Sequence, residues 1–534
     1  MLHTENRQSG SKGIYSVVIS SVLFLVLATG CNNGSNRDSK IGVEAFSDLK
    51  TPAFILDVSS IHQELCSLAD PKQNATVADS RTQQYYADKD SCELLWFRRY
   101  GLDSGADSLL AWLHIVNEEG LSADAFHVKD IEADMNRFRA LDFDDKENTI
   151  NHVVARLEYN LTRACLRYTY GQRFGFVNPY RAYNHFDVEK ADSTGRVIKF
   201  RGLYDVAIDQ PSNDYDKEVF SKIKHDSIAS YLREIQPQGK LYKQLKGMLA
   251  NTDSADVRKR IICNMERCRW RLHQPIQEQG KRIVVNIPAF HLYAYNGSGL
   301  LPELDMKIVC GAVTTKSPQL SSNIEWMEIN PQWVIPMSII KNEVAHHAGD
   351  SNYFNRHRYN IYDRNTNSIL SGSQVTRSML LSGKYRVAQK GGAGNSLGRI
   401  VFRFKNSFAV YLHDTSNPSA FNREVRAMSH GCIRVSKPFD LSQFVLDNPD
   451  EWLSDRIRIA MGQPAQTERG IKYVKNHTDE EVKKLISRVD VKPSVPVHII
   501  YYTMWYDETG TLQNWNDVYG FDKLLWKHLQ PYMP

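Results

Sequence analysis

The chain has 534 residues, of which 42% are hydrophobic, and its 66 basic and 61 acidic residues give a formal charge of +5. A single hydrophobic core stops growing at roughly 250 to 300 residues, so this length predicts more than one domain. The charge excess is small and no stretch is dense in lysine and arginine, which argues against a nucleic-acid-binding protein.

The N-terminus has the pattern of an export signal. Arg7 and Lys12 precede an apolar run over residues 14–28, and small residues lead from it to Cys31. The run is shorter than the roughly 20 residues of a membrane-spanning helix. Small residues directly before a cysteine resemble the lipobox of bacterial lipoproteins, so we predict a lipoprotein-type signal peptide over residues 1–31 with lipidation at Cys31. Ordinary signal cleavage and an uncleaved anchor are the alternatives.

The polar and turn-rich residues 32–43 predict a flexible tether between this anchor and a folded body. Beyond them apolar residues recur at steps of three or four, most clearly at Val154, Leu157 and Leu161. This periodicity predicts a mostly helical domain over residues 44–272. The domain has no metal-ligand spacing, glycine-rich phosphate loop or nucleophile elbow, so it reads as a scaffold or a binding domain.

The periodicity changes at Arg282, where β-branched and aromatic residues begin to predict strands. The segment IVVNIPAFHLYAY, the break NGSG and a second apolar segment ending at Val309 predict one hairpin. The segment RIVFRFKNSFAVYLH predicts a second hairpin, with His413 at the end of its last strand. We therefore predict an α+β protein in which a mainly β domain over residues 281–470 follows the helical domain.

Three other segments of this second half carry structural predictions. The less regular residues 337–387 lie between the two hairpins and predict an insertion that caps the sheet without a core of its own. Ser436 is predicted to cap a helix that follows Cys432. Residues 471–534 contain a charged helix and apolar strand segments, and they predict an extension that packs on the sheet.

Cysteine usage fits no disulfide framework. The chain has eight cysteines, so an odd number remains besides Cys31, and at least one thiol is free. Cys432 has polar neighbours, and its thiol could be a nucleophile, a zinc ligand with His413 and His430, or a packed core thiol. The zinc interpretation lacks CxxC or HExxH companions, and the packed thiol lacks an apolar setting. We predict a nucleophile and neither a metal nor a cofactor.

The two histidines near Cys432 have different predicted roles. His413 lies at a strand end and is separated by a loop, so it can be brought opposite the thiol as its base. His430 is only two residues from Cys432, and we predict that it supports the catalytic turn. Asp414 could orient His413 through its carboxylate or its backbone carbonyl. The carbonyl is favoured because adjacent side chains on a strand point to opposite faces.

Three further residues complete the predicted site. Gly431 allows a tight turn that leaves the amide of Cys432 clear to donate to an oxyanion. Tyr411 is two residues before His413, hence on the same strand face, and its phenol could add a second donor. Arg434 could pair with a substrate carboxylate, or it could form only a surface salt bridge.

The residues around Cys432 resemble the L,D-transpeptidase family, whose YkuD-like catalytic domain has a histidine followed, after a loop, by Ser/Thr-His-Gly-Cys. Here the pattern is His413 and then SHGCIR from Ser429. Arginine at position 434 is usual in the large multidomain YcbB-like subgroup. Other segments resemble that subgroup in the same order, over roughly residues 80–525: NMERCRW, VVNIPAFHLYAY, NPQWVIPMSIIKNE, QKGGAGNSLGRIVF and VPVHIIYYTMW.

The resemblance implies a peptidoglycan L,D-transpeptidase that needs no cofactor. Cys432 would attack the third residue of a stem tetrapeptide, release the terminal D-Ala and form a thioester. The side-chain amine of a neighbouring stem would then resolve the thioester into a 3→3 cross-link. The resemblance also assigns oxyanion support to Tyr411 and Gly431. It implies substrate contacts for three more residues: Ser429, Arg434 and Trp333.

Other outcomes use the same chemistry. Water as the acceptor would make an L,D-carboxypeptidase, and a protein partner would be attached to the wall or released from it. A non-catalytic wall-binding lipoprotein is the alternative from a different class. The expected partners are peptidoglycan stem peptides and a membrane, with the body facing the periplasm from a lipid anchor in the outer membrane of a Gram-negative bacterium. Residues 235–264 leave room for a helix or two, so we expect no separate peptidoglycan-binding module there.

Overall fold

The computed structural model describes residues 54–69, 76–87, 93–98, 101–144, 146–273, 276, 279–447 and 449–534. The predicted signal peptide, the lipidation site Cys31 and the predicted tether lie outside the described residues. No helix within the described ranges is long and apolar enough to cross a membrane. The chain divides into two compact units, residues 1–64 with 135–155 and residues 65–134 with 156–534.

The smaller unit is held by polar and aromatic contacts between its two segments. The backbone N–H of Asp57 donates to Asn151 Oδ1 at 2.9 Å, and Asn151 Nδ2 donates to the carbonyl of Ile55 at 2.9 Å. The rings of Phe54 and Phe143 meet edge to face with centroids 5.4 Å apart. One asparagine therefore satisfies two backbone groups of the other segment.

Helices dominate the first half of the chain, and short strands interrupt them. The helices are α1 (Val58–Leu68), α2 (Val77–Ala87), α3 (Ser104–His114), α4 (Val128–Ala140), α5 (Ile150–Phe174), α6 (Pro179–Asn184), α7 (Tyr215–Lys224), α8 (Ile228–Glu234), α9 (Lys240–Ala250) and α10 (Ala255–Arg269). The strands are β1 (Phe97–Arg98), β2 (Gly101–Leu102), β3 (Val188–Ala191), β4 (Val197–Phe200) and β5 (Tyr204–Asp205).

Buried carboxylates join the helices of the larger unit. Asp79 on α2 is buried, and its Oδ1 accepts from Nε of Arg163 at 2.9 Å and from Nε of Arg167 at 2.6 Å, both on α5. Glu158, also on α5, accepts from the backbone N–H of Trp96 at 3.0 Å. Removing one partner of such a buried network leaves an unpaired charge, so these contacts fix the helices against each other.

Strands dominate the second half. They are β6 (Arg282–Asn286), β7 (His291–Tyr295), β8 (Leu304–Gly311), β9 (Gln319–Ile329), β10 (Trp333–Val334), β11 (Tyr359–Asp363), β12 (Ile369–Leu370), β13 (Tyr385–Gln389), β14 (Ile400–Phe404), β15 (Leu412–His413), β16 (Ala427–Ser429), β17 (Ile433–Val435), β18 (Arg488–Ile500), β19 (Met504–Tyr506) and β20 (Leu512–Asn514). The helices here are α11 (Met337–Asn342), α12 (Ser351–Arg356), α13 (Arg377–Leu381), α14 (Pro438–Leu446), α15 (Glu451–Ala460), α16 (Glu468–Asn476), α17 (Asp479–Lys483) and α18 (Phe521–Leu529).

A 10-stranded sheet forms the centre of this half. Its order is β14-β15-β17-β8-β7-β6-β18-β9-β5, and β16 pairs with β8. Because β14 also pairs with β9, the sheet closes on itself. Alternate residues of its strands, such as Ile283, Leu412 and Ile433, are buried in one continuous core. The predicted α+β architecture is confirmed.

The insertion is a small layered structure with its own sheet, in the order β10-β13-β11-β12. We call residues 333–389 the cap. Its sheet and its helices α11 to α13 enclose a separate cluster of buried residues that includes Ile340, Phe354 and Leu380. The expectation that this segment lacks a core of its own is therefore wrong, because its apolar residues are spread too irregularly to show the periodicity of any one element.

Three local predictions differ from the structure. The first predicted hairpin is a meander of three strands, because Phe290, at a φ of 50°, turns the chain after Pro288. Helix α14 is preceded by Lys437 without a side-chain cap, since the backbone N–H of Ser436 donates to Lys307 of β8. The charged helix α17 is short, and the long strand β18 that follows it lies inside the sheet between β6 and β9.

The segment over residues 235–264 contains helix α9 and most of α10, and no further domain. This agrees with the expectation of a helix or two at that place.

Candidate active site

The turn that carries Cys432 is built by short-range hydrogen bonds. It joins β16 to β17, and Gly431 at its centre has a φ of 121°, a conformation that side chains disfavour. Ser429 Oγ donates to the carbonyl of Cys432 at 2.6 Å and accepts from the backbone N–H of Gly431 at 3.1 Å. Ser429 therefore shapes the turn, and the substrate contact that the family resemblance implies for it stays a prediction.

A second loop holds the turn from behind. The hydroxyl of Ser317 donates to the carbonyl of Gly431 at 2.6 Å, and the hydroxyl of Thr315 donates to the carbonyl of Ser429 at 2.8 Å. These carbonyls are satisfied by side chains rather than by a sheet ladder, so the turn keeps one geometry. Thr315 and Ser317 could not be found from the sequence, because their partners are more than 100 residues away.

The strand register brings four predicted residues onto one face. Strands β15 and β17 are parallel, with Leu412 beside Ile433 and His413 beside Arg434. Leu412 and Ile433 face the core, so the residues next to them face the opposite side. His413, Arg434, Tyr411 and Cys432 therefore share the outer face of two neighbouring strands.

Short contacts agree with this arrangement. The backbone N–H of Ile433 donates to the carbonyl of Tyr411 at 3.2 Å. The rings of Tyr411 and His413 have centroids 5.8 Å apart. Sγ of Cys432 lies 3.9 Å from the carbonyl oxygen of Ala409, and the Tyr411 hydroxyl interacts with the thiol. The phenol is thus beside the sulfur, where a donor to a developing oxyanion is needed.

His413 is held as a neutral imidazole. It is 4% exposed, and burial, together with the guanidinium of Arg434, lowers its pKa to about 3. Backbone groups of Asp414 and Leu397 act in the opposite direction but more weakly. A neutral imidazole can accept a proton from a thiol, which is the property that a general base needs.

Asp414 does not offer its carboxylate to His413. Oδ2 of Asp414 accepts from the backbone N–H of Arg399 at 2.8 Å, and burial raises the pKa of this carboxyl. Within the described part of the chain, His413 Nδ1 is buried and lacks a well-aligned hydrogen-bond partner, although backbone groups of Asp414 and Leu397 lie near the ring. Of the two groups of Asp414 that could orient His413, the carboxylate is hydrogen-bonded to Arg399, whereas the backbone lies next to the imidazole.

Cys432 is a neutral thiol at rest. Burial raises its pKa above the ordinary value, while hydrogen bonds from Tyr411 and the charges of Arg403 and Arg434 oppose that rise. A raised thiol pKa and a lowered imidazole pKa both favour the uncharged pair over thiolate and imidazolium. A reaction at this thiol would therefore transfer its proton to His413 as the sulfur attacks, and not beforehand.

Arg434 has no ion pair within the part of the chain that the structure describes, and its Nε is buried without a partner. Burial lowers the pKa of its guanidinium. The arrangement does not fit the surface salt bridge that was one of its two interpretations. It leaves a cation beside His413 that an anionic substrate group can pair with.

His430 points toward the cap. Its Nε2 is 2.7 Å from Oε1 of Glu343, at the end of α11, and both side chains are about half exposed. His430 thus links the catalytic turn to the cap. Glu343 was not anticipated, because nothing in its sequence surroundings distinguishes it from any exposed carboxylate.

A cavity of about 270 Å³ lies beside Tyr411. Arg403 lines it, with its guanidinium 4.6 Å from the centroid of the Tyr411 ring and hydrogen-bonded to Oε2 of Glu328 at 2.8 Å. Trp333 pairs with Gln389 at the base of the cap and interacts with the Tyr411 hydroxyl. Trp333 and Arg403 therefore both contact the side chain of Tyr411.

The zinc alternative finds no ligand set. Within the described ranges, no three or more His, Cys, Asp or Glu side chains cluster as metal ligands would. His430 is instead paired with Glu343.

Two family models match the chain. The YkuD L,D-transpeptidase catalytic domain matches residues 280–459, and the Scaffold domain matches residues 80–249. The chain contains an L,D-transpeptidase catalytic domain. The matched range includes both His413 and Cys432, and the resemblance drawn from the motif is confirmed.

A relative supports the same assignment. The chain is 27% identical over 319 residues to a Haemophilus influenzae protein named "Putative L,D-transpeptidase". The alignment covers 59% of each chain, so it spans about three-fifths of the relative's length. The match is consistent with the multidomain YcbB-like subgroup.

Proposed function

We propose that the protein forms 3→3 cross-links between peptidoglycan stem peptides through a thioester on Cys432. The observation that carries this proposal is the shared strand face of Tyr411, His413, Cys432 and Arg434 within the matched catalytic domain. This face supplies a nucleophile, a neutral base, an oxyanion donor and a cation in one place.

In the first half of the reaction, His413 takes the proton of the Cys432 thiol as Sγ attacks the carbonyl of the third stem residue. The tetrahedral oxyanion forms beside the Tyr411 hydroxyl and the backbone N–H of Cys432. The bond to the terminal D-Ala breaks, and its amine leaves with the proton from His413. The product is a thioester between Cys432 and the stem.

In the second half, the side-chain amine of a diamino acid on another stem attacks the thioester. His413 accepts the proton from this amine and returns it to the departing sulfur, so the thiol is restored. One D-Ala is released for each cross-link made. The cap contacts the turn through Glu343 and His430. We assign to it the exclusion of water from the thioester.

The test is to incubate the purified protein with disaccharide tetrapeptide and identify the products by mass spectrometry. We expect a cross-linked dimer together with free D-Ala. A digest containing only tripeptide would identify an L,D-carboxypeptidase that uses water as the acceptor. Release or capture of a protein at the wall would identify the attachment reaction, and no product at all would favour the non-catalytic wall-binding lipoprotein.

We also propose that Cys31 carries a lipid that anchors the protein to a membrane, probed by labelling cells with a fatty-acid analogue. The small residues before Cys31 and the polar tether after it support this proposal. Label should appear on the wild-type protein and be absent from Cys31→Ser. Equal labelling of the two would contradict the anchor, and fractionation of the same cells would report whether the membrane is the outer one.

A further inference from the structure

A second cavity, of about 370 Å³, lies far from the turn that carries Cys432. It is bounded by the start of α9, the end of α10, the ends of β6 and β7, and β19. Its size is within the range of small-ligand pockets. None of the predicted site residues lines it. Six aromatic rings do: Tyr242, Trp270, Tyr295, Tyr502, Trp505 and Tyr506.

Among the described residues, every charged side chain that lines this cavity is basic: Lys240, Arg267, Arg271 and Arg282. Arg267 is neutralised by Asp522 at 2.7 Å. Lys240 and Arg271 form no ion pair within the described part of the chain. The wall therefore offers two cations to an anionic ligand.

One carboxylate acts on Arg271 from outside the cavity. Asp209 attracts its guanidinium electrostatically, but Asp209 is already paired with Arg173 at 2.6 Å and with His273 at 3.3 Å. Arg271 uses Nη2 to donate to the carbonyl of Ile235 at 2.6 Å, which leaves its other N–H groups for a ligand. Its orientation is thus fixed by the backbone.

The sheet register separates this cavity from the active site. Arg434 lies beside Val309 of β8, whereas Tyr295 at the end of β7 lies next to the other end of that strand. Five residue steps of β8, from Leu304 to Val309, separate the two places, or about 17 Å along the strand. A stem tetrapeptide spans at most about 14 Å when fully extended. A stem whose carbonyl reacts at Cys432 does not reach the cavity, but a polymer does.

We propose that this cavity binds a saccharide segment of peptidoglycan, remote from the reacting stem, whose sugar faces lie against the aromatic rings. A carboxylate on the attached peptide pairs with Arg271 and Lys240. The charge and the aromatic lining specify this ligand class: a glycan has apolar C–H faces, and its stems carry carboxylates. The inference rests on the proposed function and gives the enzyme a second binding site for peptidoglycan, separate from its catalytic site.

The test compares Leu300→Trp, which fills the cavity, with Leu301→Trp, its matched control. Leu300 lines the cavity, whereas its neighbour Leu301 is 68% exposed and does not. Both changes are made in Cys432→Ala, so that binding of purified glycan chains bearing tetrapeptide stems is measured without turnover. We expect at least tenfold weaker binding for the Leu300 variant only. Equal binding by the two variants would overturn the proposal.

A second pair of variants tests the proposed contact between Arg271 and a ligand carboxylate. Arg271→Gln should weaken binding of the same chains about tenfold, whereas Arg233→Gln, an exposed arginine outside the cavity, should not. Weaker binding of free tetrapeptide alone, with glycan binding unchanged, would overturn the saccharide assignment.

Alkylation of Cys432 by iodoacetamide, in the wild-type background, should proceed at the same rate in all four variants, which shows an intact active site. Failure of the wild-type protein to make cross-links would refute the proposed function. The binding comparison in Cys432→Ala would still decide the fate of the cavity.

Discussion

The sheet and the cap meet at the turn that carries Cys432, but they hold their residues in different ways. Strands β15 and β17 fix Tyr411 and His413 through a register that cannot shift without exposing core residues. The cap has a separate small core and reaches the catalytic turn through the half-exposed pair of Glu343 and His430. The proposed function would therefore place the chemistry on the sheet, whose register is fixed, and access to Cys432 on the cap, which contacts the turn through one exposed pair.

The largest effect should come from the nucleophile itself. Cys432→Ala removes the proposed nucleophilic sulfur, so cross-linking should fall to background while the protein stays folded. Cys66→Ala, which removes a half-buried thiol of the helical part, is the control and should keep activity. Both are measured as cross-linked dimer per minute, with circular dichroism as the check on folding. Activity retained in Cys432→Ala would contradict the assignment of the nucleophile.

The base should come next. His413→Gln removes the proton acceptor, and we expect kcat to fall by roughly 10² to 10⁴-fold. His498→Gln is the matched control, because His498 is also buried in the sheet and its pKa is also lowered by burial, to about 4. A similar loss of kcat in both variants would show that His413 has only a structural role.

The pH dependence of catalysis and of alkylation should distinguish a neutral pair of Cys432 and His413 from a thiolate and an imidazolium. Burial holds the pKa of His413 at about 3, so kcat/KM should stay level as the pH falls from 7 to about 4. The rate of iodoacetamide alkylation should rise with a midpoint above the ordinary thiol pKa of about 8.5, since burial raises the pKa of Cys432. Alkylation with a midpoint well below 8 would indicate a preformed thiolate instead.

The lowered pKa of His413 should also make the stability of the protein depend on pH. The pKa of His413 is lower in the folded protein than in the unfolded chain, so the unfolded state binds more protons between about pH 3 and pH 6.5. The free energy of unfolding should therefore fall as the pH drops through that window. In His413→Gln this fall should be smaller, as followed by urea titration at several pH values.

The smallest effect should come from the cap contact. Glu343→Gln removes the charge opposite His430, and because both side chains are half exposed the contact contributes less than about 1 kcal/mol. We expect a change of a few-fold in KM with kcat nearly unchanged. His430→Gln and the double variant should match it, since one contact is lost in all three. A hundredfold loss of kcat in His430→Gln alone would give this histidine a direct part in the chemistry.

Much of the catalytic face was predictable from the sequence. The strand alternation placed Tyr411 and His413 on one face, and Gly431 has the positive φ expected of a tight turn. These features depend on residues close in the chain. Arg434 lies on the same face, and its pairing with a substrate carboxylate stays a prediction.

Features that depend on distant partners were not predictable. The hydroxyls of Ser317 and Thr315 hold the turn across more than 100 residues, and Glu343 reaches His430 across 87. The core of the cap was not predicted, because its short helices and strands have no sustained hydrophobic periodicity. The closure of the sheet by β14 and β9 likewise joins segments that share no local pattern.

The most direct test of the central claim is mass spectrometry of the protein after exposure to a carbapenem, which the family's cysteine is expected to open. We predict one adduct per chain, mapped to Cys432 and absent from Cys432→Ala. No adduct, or an adduct on another half-buried thiol such as Cys66 or Cys268, would contradict the assignment of Cys432 as the acyl-carrying nucleophile.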